Sequence, residues 1–285
     1  MAASGPRPGS GAGIVRRSLV LILAVAACTS GDAVPDGGDG LPESPGTADG
    51  DWVPLFNGRD LTGWTPKIRG SELGEDPRGT FSVEDGLLTV GYAGYDAFEE
   101  RFGHLFYAEP FAHYELRIEY RIVGEQAGDG PGWAFKNGGV MFHAQSPGSM
   151  LADQDFPISL EAQFLGGNGV DDRPTANLCT PGTEVEMDGV QLEGHCVNST
   201  SATFHGDEWV MFDLVVRGNA SVTHIVNGDT VLTYERPSIG GGVVDGFDPG
   251  VKVDGTPLAS GYIALQSESH PIQFRQVLVR RLDGG

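Results

Sequence analysis

Between Asn137 and Gly166 the chain carries two runs, NGGVMFHAQ and ISLEAQFLG, in which side-chain character alternates. In the first, Val140, Phe142 and Ala144 alternate with Met141, His143 and Gln145; in the second, Ile158, Leu160, Ala162 and Phe164 alternate with Ser159, Glu161 and Gln163. A period of two is the spacing of a β-strand, whose successive side chains leave opposite faces. Each run therefore predicts a strand with one apolar face and one face carrying polar chemistry. Paired in one sheet, the two would set His143, Gln145, Glu161 and Gln163 on a common platform.

The same period recurs along the chain. HYELRIEYRIV puts Tyr114, Leu116, Ile118 and Tyr120 on one side and Glu115, Arg117, Glu119 and Arg121 on the other, which predicts a half-buried strand. TFSVEDGLLTVG around Glu84-Asp85-Gly86 and VTHIVNGDTVLTYE around Asn227-Gly228-Asp229 read as hairpins. Glycine is abundant, at 44 residues, and long helix-favouring runs are missing. Some eleven or more short strands in one domain predict an all-β sandwich of two antiparallel sheets, one of them concave. The segment from Gly166 to Ser201, which holds two cysteines, reads as a long loop beside the polar face.

The domain is predicted to occupy residues 51–285, after a leader and a linker. Residues 1–28 contain no acid, carry Arg7, Arg16 and Arg17, and end with an apolar run and Val25-Ala26-Ala27-Cys28. That order is an export signal, and small residues before a cysteine resemble a bacterial lipobox, so Cys28 is expected to carry lipid. Residues 29–50, rich in Gly, Pro, Ser and Asp, read as a disordered tether between the lipid and the domain. The expected location is thus the periplasm or the cell surface, anchored to a membrane.

Without the leader, 15 basic residues face 39 acidic ones, a net charge near −24. Nucleic acid is a poor partner for such a surface, whereas a neutral sugar is not repelled. Cys179 and Cys196 are expected to form a disulfide in an oxidising compartment, since their separation lacks the close pairing of zinc ligands.

Four motifs then carry a family resemblance. Phe56-Asn57-Gly58-Arg59-Asp60-Leu61-Thr62-Gly63-Trp64, Asn137 to His143, Ser159-Leu160-Glu161-Ala162-Gln163, and Leu265-Gln266-Ser267-Glu268-Ser269-His270-Pro271 with the strand to Arg275 stand in the order of the bacterial 3-keto-disaccharide hydrolase domain. The chain resembles that family from Trp52 to Leu282. The resemblance implies a concanavalin-like jelly roll and, by analogy with characterised members, cleavage of glycosides already oxidised at carbon 3.

In such a sugar the carbonyl acidifies the hydrogen on carbon 2. A base removes it, the substituent leaves carbon 1, and water adds back. Glu161, a carboxylate on an otherwise apolar strand, is the candidate base; the alternative is an ion pair with Arg173 or Arg275. His143 is a candidate acid, base or, with Glu161, ligand to a divalent metal, and otherwise a hydrogen-bonded structural residue. Gln145, Gln163, Gln266, Arg173, Glu268 and His270 are candidate substrate-binding residues; the glutamines could instead pair across strands, and Glu268 and His270 could cap a turn. Trp133, among glycines, is the candidate sugar-stacking aromatic, while Trp64 belongs in the core. A retaining glucanase would need a second carboxylate about 5–5.5 Å from the first. Along its own strand Glu161 is followed on that face only by Gln163 and Leu165. The expectation is a 3-keto-glycoside hydrolase or lyase, with a non-catalytic carbohydrate-binding lipoprotein as the alternative.

Overall fold

The computed structural model describes residues 51–283; the leader, Cys28 and the tether lie outside the described residues. The first strands are β1 (Val53–Pro54), β2 (Trp64–Ile68), β3 (Phe81–Glu84), β4 (Leu87–Val90), β5 (Gly103–Tyr107) and β6 (His113–Ile122). Then come β7 (Asn137–Ala144), β8 (Leu160–Leu165), β9 (Asn177–Cys179), β10 (Thr183–Met187), β11 (Val190–Gln191) and β12 (Cys196–Val197). The last are β13 (Val210–Arg217), β14 (Ser221–Val226), β15 (Asp229–Ile239), β16 (Tyr262–Ser267) and β17 (Ile272–Arg281).

They form two antiparallel sheets packed as a jelly-roll sandwich. One has the order β11-β10-β15-β14-β13-β6-β17-β4-β3, with β1 added along β17; the other runs β12-β9-β8-β7-β16-β5-β2. Asp85 and Gly86, like Asn227 and Gly228, have positive φ, which matches the twist that two-residue hairpin turns require. The expected loop from Gly166 to Ser201 instead contributes four short strands, two to each sheet, and so belongs to both layers.

Alternation places the core between the sheets. Tyr114, Leu116, Ile118 and Tyr120 of β6 meet Leu160, Ala162 and Phe164 of β8 in one buried cluster, with Tyr120 stacked on Phe164 at 4.0 Å between ring centroids. The other face of β6 was expected to be open to solvent, yet Glu115, Arg117 and Glu119 are buried. Each finds an opposite charge on a neighbouring strand: Arg117 Nε donates to Asp213 at 2.6 Å, Arg280 bonds Glu115, and Arg275 bonds Glu119. Two indoles then cover the ladder, Trp52 lying against Arg117 and Arg280 and Trp209 against Arg121 and Arg275, at 4.6–4.9 Å. Cation–π contact and pairing make burial of these charges tolerable.

Candidate active site

The outward face of the seven-stranded sheet carries a polar row. Asn177 pairs with Gln163 and Gln163 with Gly139; Gln266 pairs with His104 and His104 with Lys67. Gly139 and Gln266 adjoin at the centre of this row, so residues from six strands line up across the sheet. Strand pairing alone brings these distant residues together.

Gly139 leaves a gap there, and its neighbours lean into it. A Cβ on Gly139 would lie 3.1 Å from Glu161 Oε1, 3.0 Å from Gln266 Oε1 and 2.9 Å from the Ala162 carbonyl oxygen. Gly139→Ala is therefore expected to push the carboxylate and the amide aside against an unyielding backbone. Turnover should fall about tenfold or more, at a stability cost of about 1–3 kcal/mol. Steady-state kinetics beside thermal unfolding would separate the two effects.

Glu161 is 5 % exposed and its Oε1 has no hydrogen-bond partner. Burial pushes its pKa up to about 8, and Gln266 beside it offsets part of that push. Glu268, in the turn after β16, is equally buried with Oε2 unpartnered, and burial followed by the charge of Glu161 raises its pKa well above the carboxylate range. Among the described residues no cation pairs with either. Arg173 donates to the carbonyls of Gly166 and Phe135, and Arg275 is bound to Glu119 on the other sheet, which removes the expected structural alternative for Glu161.

These two carboxyl groups, with Asn137 and Gln163, line a cavity of about 300 Å³. Asn137 Oδ1 and both amide atoms of Gln266 are also buried without partners. Such groups are uncommon in folded proteins and mark places where a ligand would complete the hydrogen bonding. The walls are mostly apolar. Trp133 is 56 % exposed at the mouth and stacks nearly parallel on Phe102, while Phe156, Pro181, Val243 and the Cys179–Cys196 disulfide close the other sides. The disulfide is formed, and Cys179 sits directly across from Glu161 in the β8–β9 pairing.

Residues 51–280 match the family model of the 3-keto-alpha-glucoside-1,2-lyase-like domain. The chain belongs to that family. No curated protein matches it. Among solved structures it is similar to a protein from Parabacteroides distasonis provisionally assigned as a glycosyl hydrolase, at 18% identity over 81% of this chain and 94% of that one, TM-score 0.48. A protein of unknown function with a galectin-like fold from Bacillus subtilis matches at 14% identity, 81% and 94% coverage and TM-score 0.48. A Bacillus licheniformis beta-glucanase matches at 11% identity, 84% and 100% coverage and TM-score 0.43.

In this lyase-like domain the expected platform is only partly assembled. Glu161 and Gln163 share the cavity with Glu268 and Trp133, and Gln266 lies beside Glu161. His143 does not join them. Between the pairs Met141–Ala264 and Ala144–Tyr262, two residues of β7 oppose the single Ile263, and His143 takes a positive φ in that bulge. The bulge resets the alternation, so Met141 and Ala144 both join the apolar cluster of Phe106, Met150 and Ala264. The His143 ring instead meets the Gly218 carbonyl, Nε2 to oxygen 3.0 Å, and the expected metal pair of His143 with Glu161 is not formed. Gln145 falls past the strand end, where its Oε1 accepts from Gln154 and from the Ile158 amide and fixes the following loop. Arg173 and His270 lie outside the cavity lining, near each other, with His270 edge-on to Phe135.

Three residues absent from the sequence expectations belong here: Asn137, His104 and His195. Asn137 carried a readable signal, since it shares the parity of Gly139 and Met141. His104 is fully buried opposite Gln266 with both ring nitrogens unpartnered; burial, then Lys67, lowers its pKa to about 3 and keeps the imidazole neutral.

Proposed function

We propose that the domain cleaves 3-keto-glycosides, including 3-keto-disaccharides, by elimination followed by hydration. The observation that carries this reading is the pair of buried, cation-free carboxyl groups, Glu161 and Glu268, on the floor of one cavity. Two carboxyls in one dry site cannot both ionise easily, so one acts as base while the other keeps its proton. Glu161, which leans into the gap at Gly139 beside Gln266, takes the hydrogen from carbon 2. The electron pair moves onto the carbonyl at carbon 3 as an enolate, whose oxygen accepts a hydrogen bond from the free Gln266 amide. Return of the pair forms the carbon 1–carbon 2 double bond and breaks the bond from carbon 1 to the leaving oxygen, which takes the Glu268 proton. Water then adds its hydroxyl to carbon 1 and a proton to carbon 2, and the sum is hydrolysis. Trp133 supplies the flat apolar surface on which the C–H face of the sugar rests.

The unpartnered oxygens of Glu161, Glu268 and Asn137 are hard donors of the kind a divalent cation takes, and an ion held by them would stabilise the enolate oxygen. Within this reading the protein is exported and lipid-anchored through Cys28. A second reading, direct hydrolysis of an unoxidised glycoside, gains from Glu268, which supplies from the turn after β16 the second acid missing along β8. A carbohydrate-binding lipoprotein is the third.

The test incubates the protein with a 3-keto-disaccharide and with its unoxidised parent, each with and without chelator, and follows released monosaccharide. Release from the keto sugar alone supports elimination. Release from the parent supports direct hydrolysis, release from neither supports the binding protein, and chelator sensitivity adds the cation. Because the Glu161 pKa is raised, the base form accumulates only as pH rises; log kcat/KM should climb with unit slope to about pH 8 and fall again where Glu268 loses its proton.

A further inference from the structure

A second cavity adjoins the first at the disulfide wall. Its volume is about 260 Å³; His195 and Val243 line both cavities, and the other walls of the second include Thr180, Glu184, Gly241 and Gly242. Where the first cavity is walled by rings, the second sets Val185 and Leu192 beside hydroxyls, a carboxylate and bare glycine backbone. His195 stands in the partition and is held firmly. Its carbonyl accepts from the Thr180 amide at 2.9 Å and from Thr180 Oγ1 at 3.1 Å, and the next residue, Cys196, is cross-linked to Cys179 opposite Glu161. Yet Nδ1 of the ring is buried without a partner. A buried polar atom left unused on a well-anchored stretch of backbone costs stability that a ligand would return.

We propose that the second cavity is the leaving-group subsite, that it takes a neutral hydroxylated group, and that His195 hydrogen-bonds this group where it passes from one cavity to the other. This rests on the elimination reading above. A carboxylate in the lining and the acidic balance of the chain disfavour an anionic leaving group and leave a neutral one unopposed.

The test compares the wild-type protein with His195→Ala and His195→Gln on a 3-keto-disaccharide and on methyl 3-keto-glucoside, whose leaving group cannot fill the second cavity. The ratio of kcat/KM between the two should fall about tenfold or more in the alanine variant and be partly restored by glutamine, which keeps a hydrogen-bonding group. An unchanged ratio overturns the inference. Wild-type protein that cleaves neither keto sugar counts against the elimination reading alone, and the imidazole spectrum then decides the matter. The His195 ring resonances, assigned by their loss in the glutamine variant, should shift on adding the unoxidised disaccharide and stay in place with methyl glucoside. No shift with the disaccharide, or an equal shift with both, overturns the role of His195.

Discussion

Glu161→Gln is expected to lower turnover of a 3-keto-disaccharide about a thousandfold and at the same time to raise the melting temperature. Loss of the base accounts for the first effect. The second follows from linkage: the folded pKa is about 8 against an ordinary value of 4.5, so the protonated form is favoured by folding. That contribution is complete in acid below the ordinary value and is lost as pH rises through about 8. At neutral pH the unfolded chain is ionised there while the fold must hold the group neutral or bury its charge. Glutamine has the same shape and no proton to acquire, and it relieves Glu268 of a neighbouring charge. The gain at pH 7 should be about 3 kcal/mol, or about 8 °C for a domain of this size. Melting curves of both proteins from pH 4.5 to 8.5 should converge at the acid end and diverge toward the alkaline end. A variant less stable than wild type at pH 8 would show that Glu161 is paired as a carboxylate.

The largest loss of stability is expected on the opposite sheet. Arg117 and Asp213 are 5 % exposed each and sit directly across from one another in the β6–β13 pairing. Arg117→Ala leaves the Asp213 charge buried without its partner and strips Trp52 of one of its two guanidinium contacts. The cost should be about 3–5 kcal/mol. Arg117→Met with Asp213→Leu, which replaces both charges by apolar volume, should recover most of it, because the desolvation of two ions is removed together. Denaturant midpoints at constant m-value would measure both. A loss below about 1 kcal/mol for the alanine variant would mean that water screens the pair.

The fold was legible because a strand's period is short and local. Tyr114 to Tyr120, Leu160 to Phe164 and the two hairpin turns could be read from a few residues each, and the structure keeps them. The site was legible in the parts that inherit that period, Glu161 and Gln163. It failed at His143 because one bulged residue reverses the parity of everything after it, and the bulge forms against Ile263 of β16 and the preceding Gly261, some 120 residues away. Gly261 has no room for a Cβ, which would lie 2.2 Å from the His143 carbonyl carbon, so a glycine just before β16 makes way for the backbone of β7. The partnership of Glu161 with Glu268 was invisible for the same reason: it is a product of strand order, with β7 lying between β8 and β16. Burial of the charged face of β6 also needed tertiary information, since Trp52 and Trp209 come from outside that strand.

The clamp on Trp52 has a mechanical meaning. The indole sits at the very start of the described chain and is gripped on the outer surface of the larger sheet, whereas the cavity opens from the outer surface of the smaller one. A pull on this end of the domain would first meet two guanidinium stacks and β1 paired along β17. The two outer surfaces thus divide the labour of the sandwich: one locks charge under indoles and secures the first strand, and the other is left to shape the cavity.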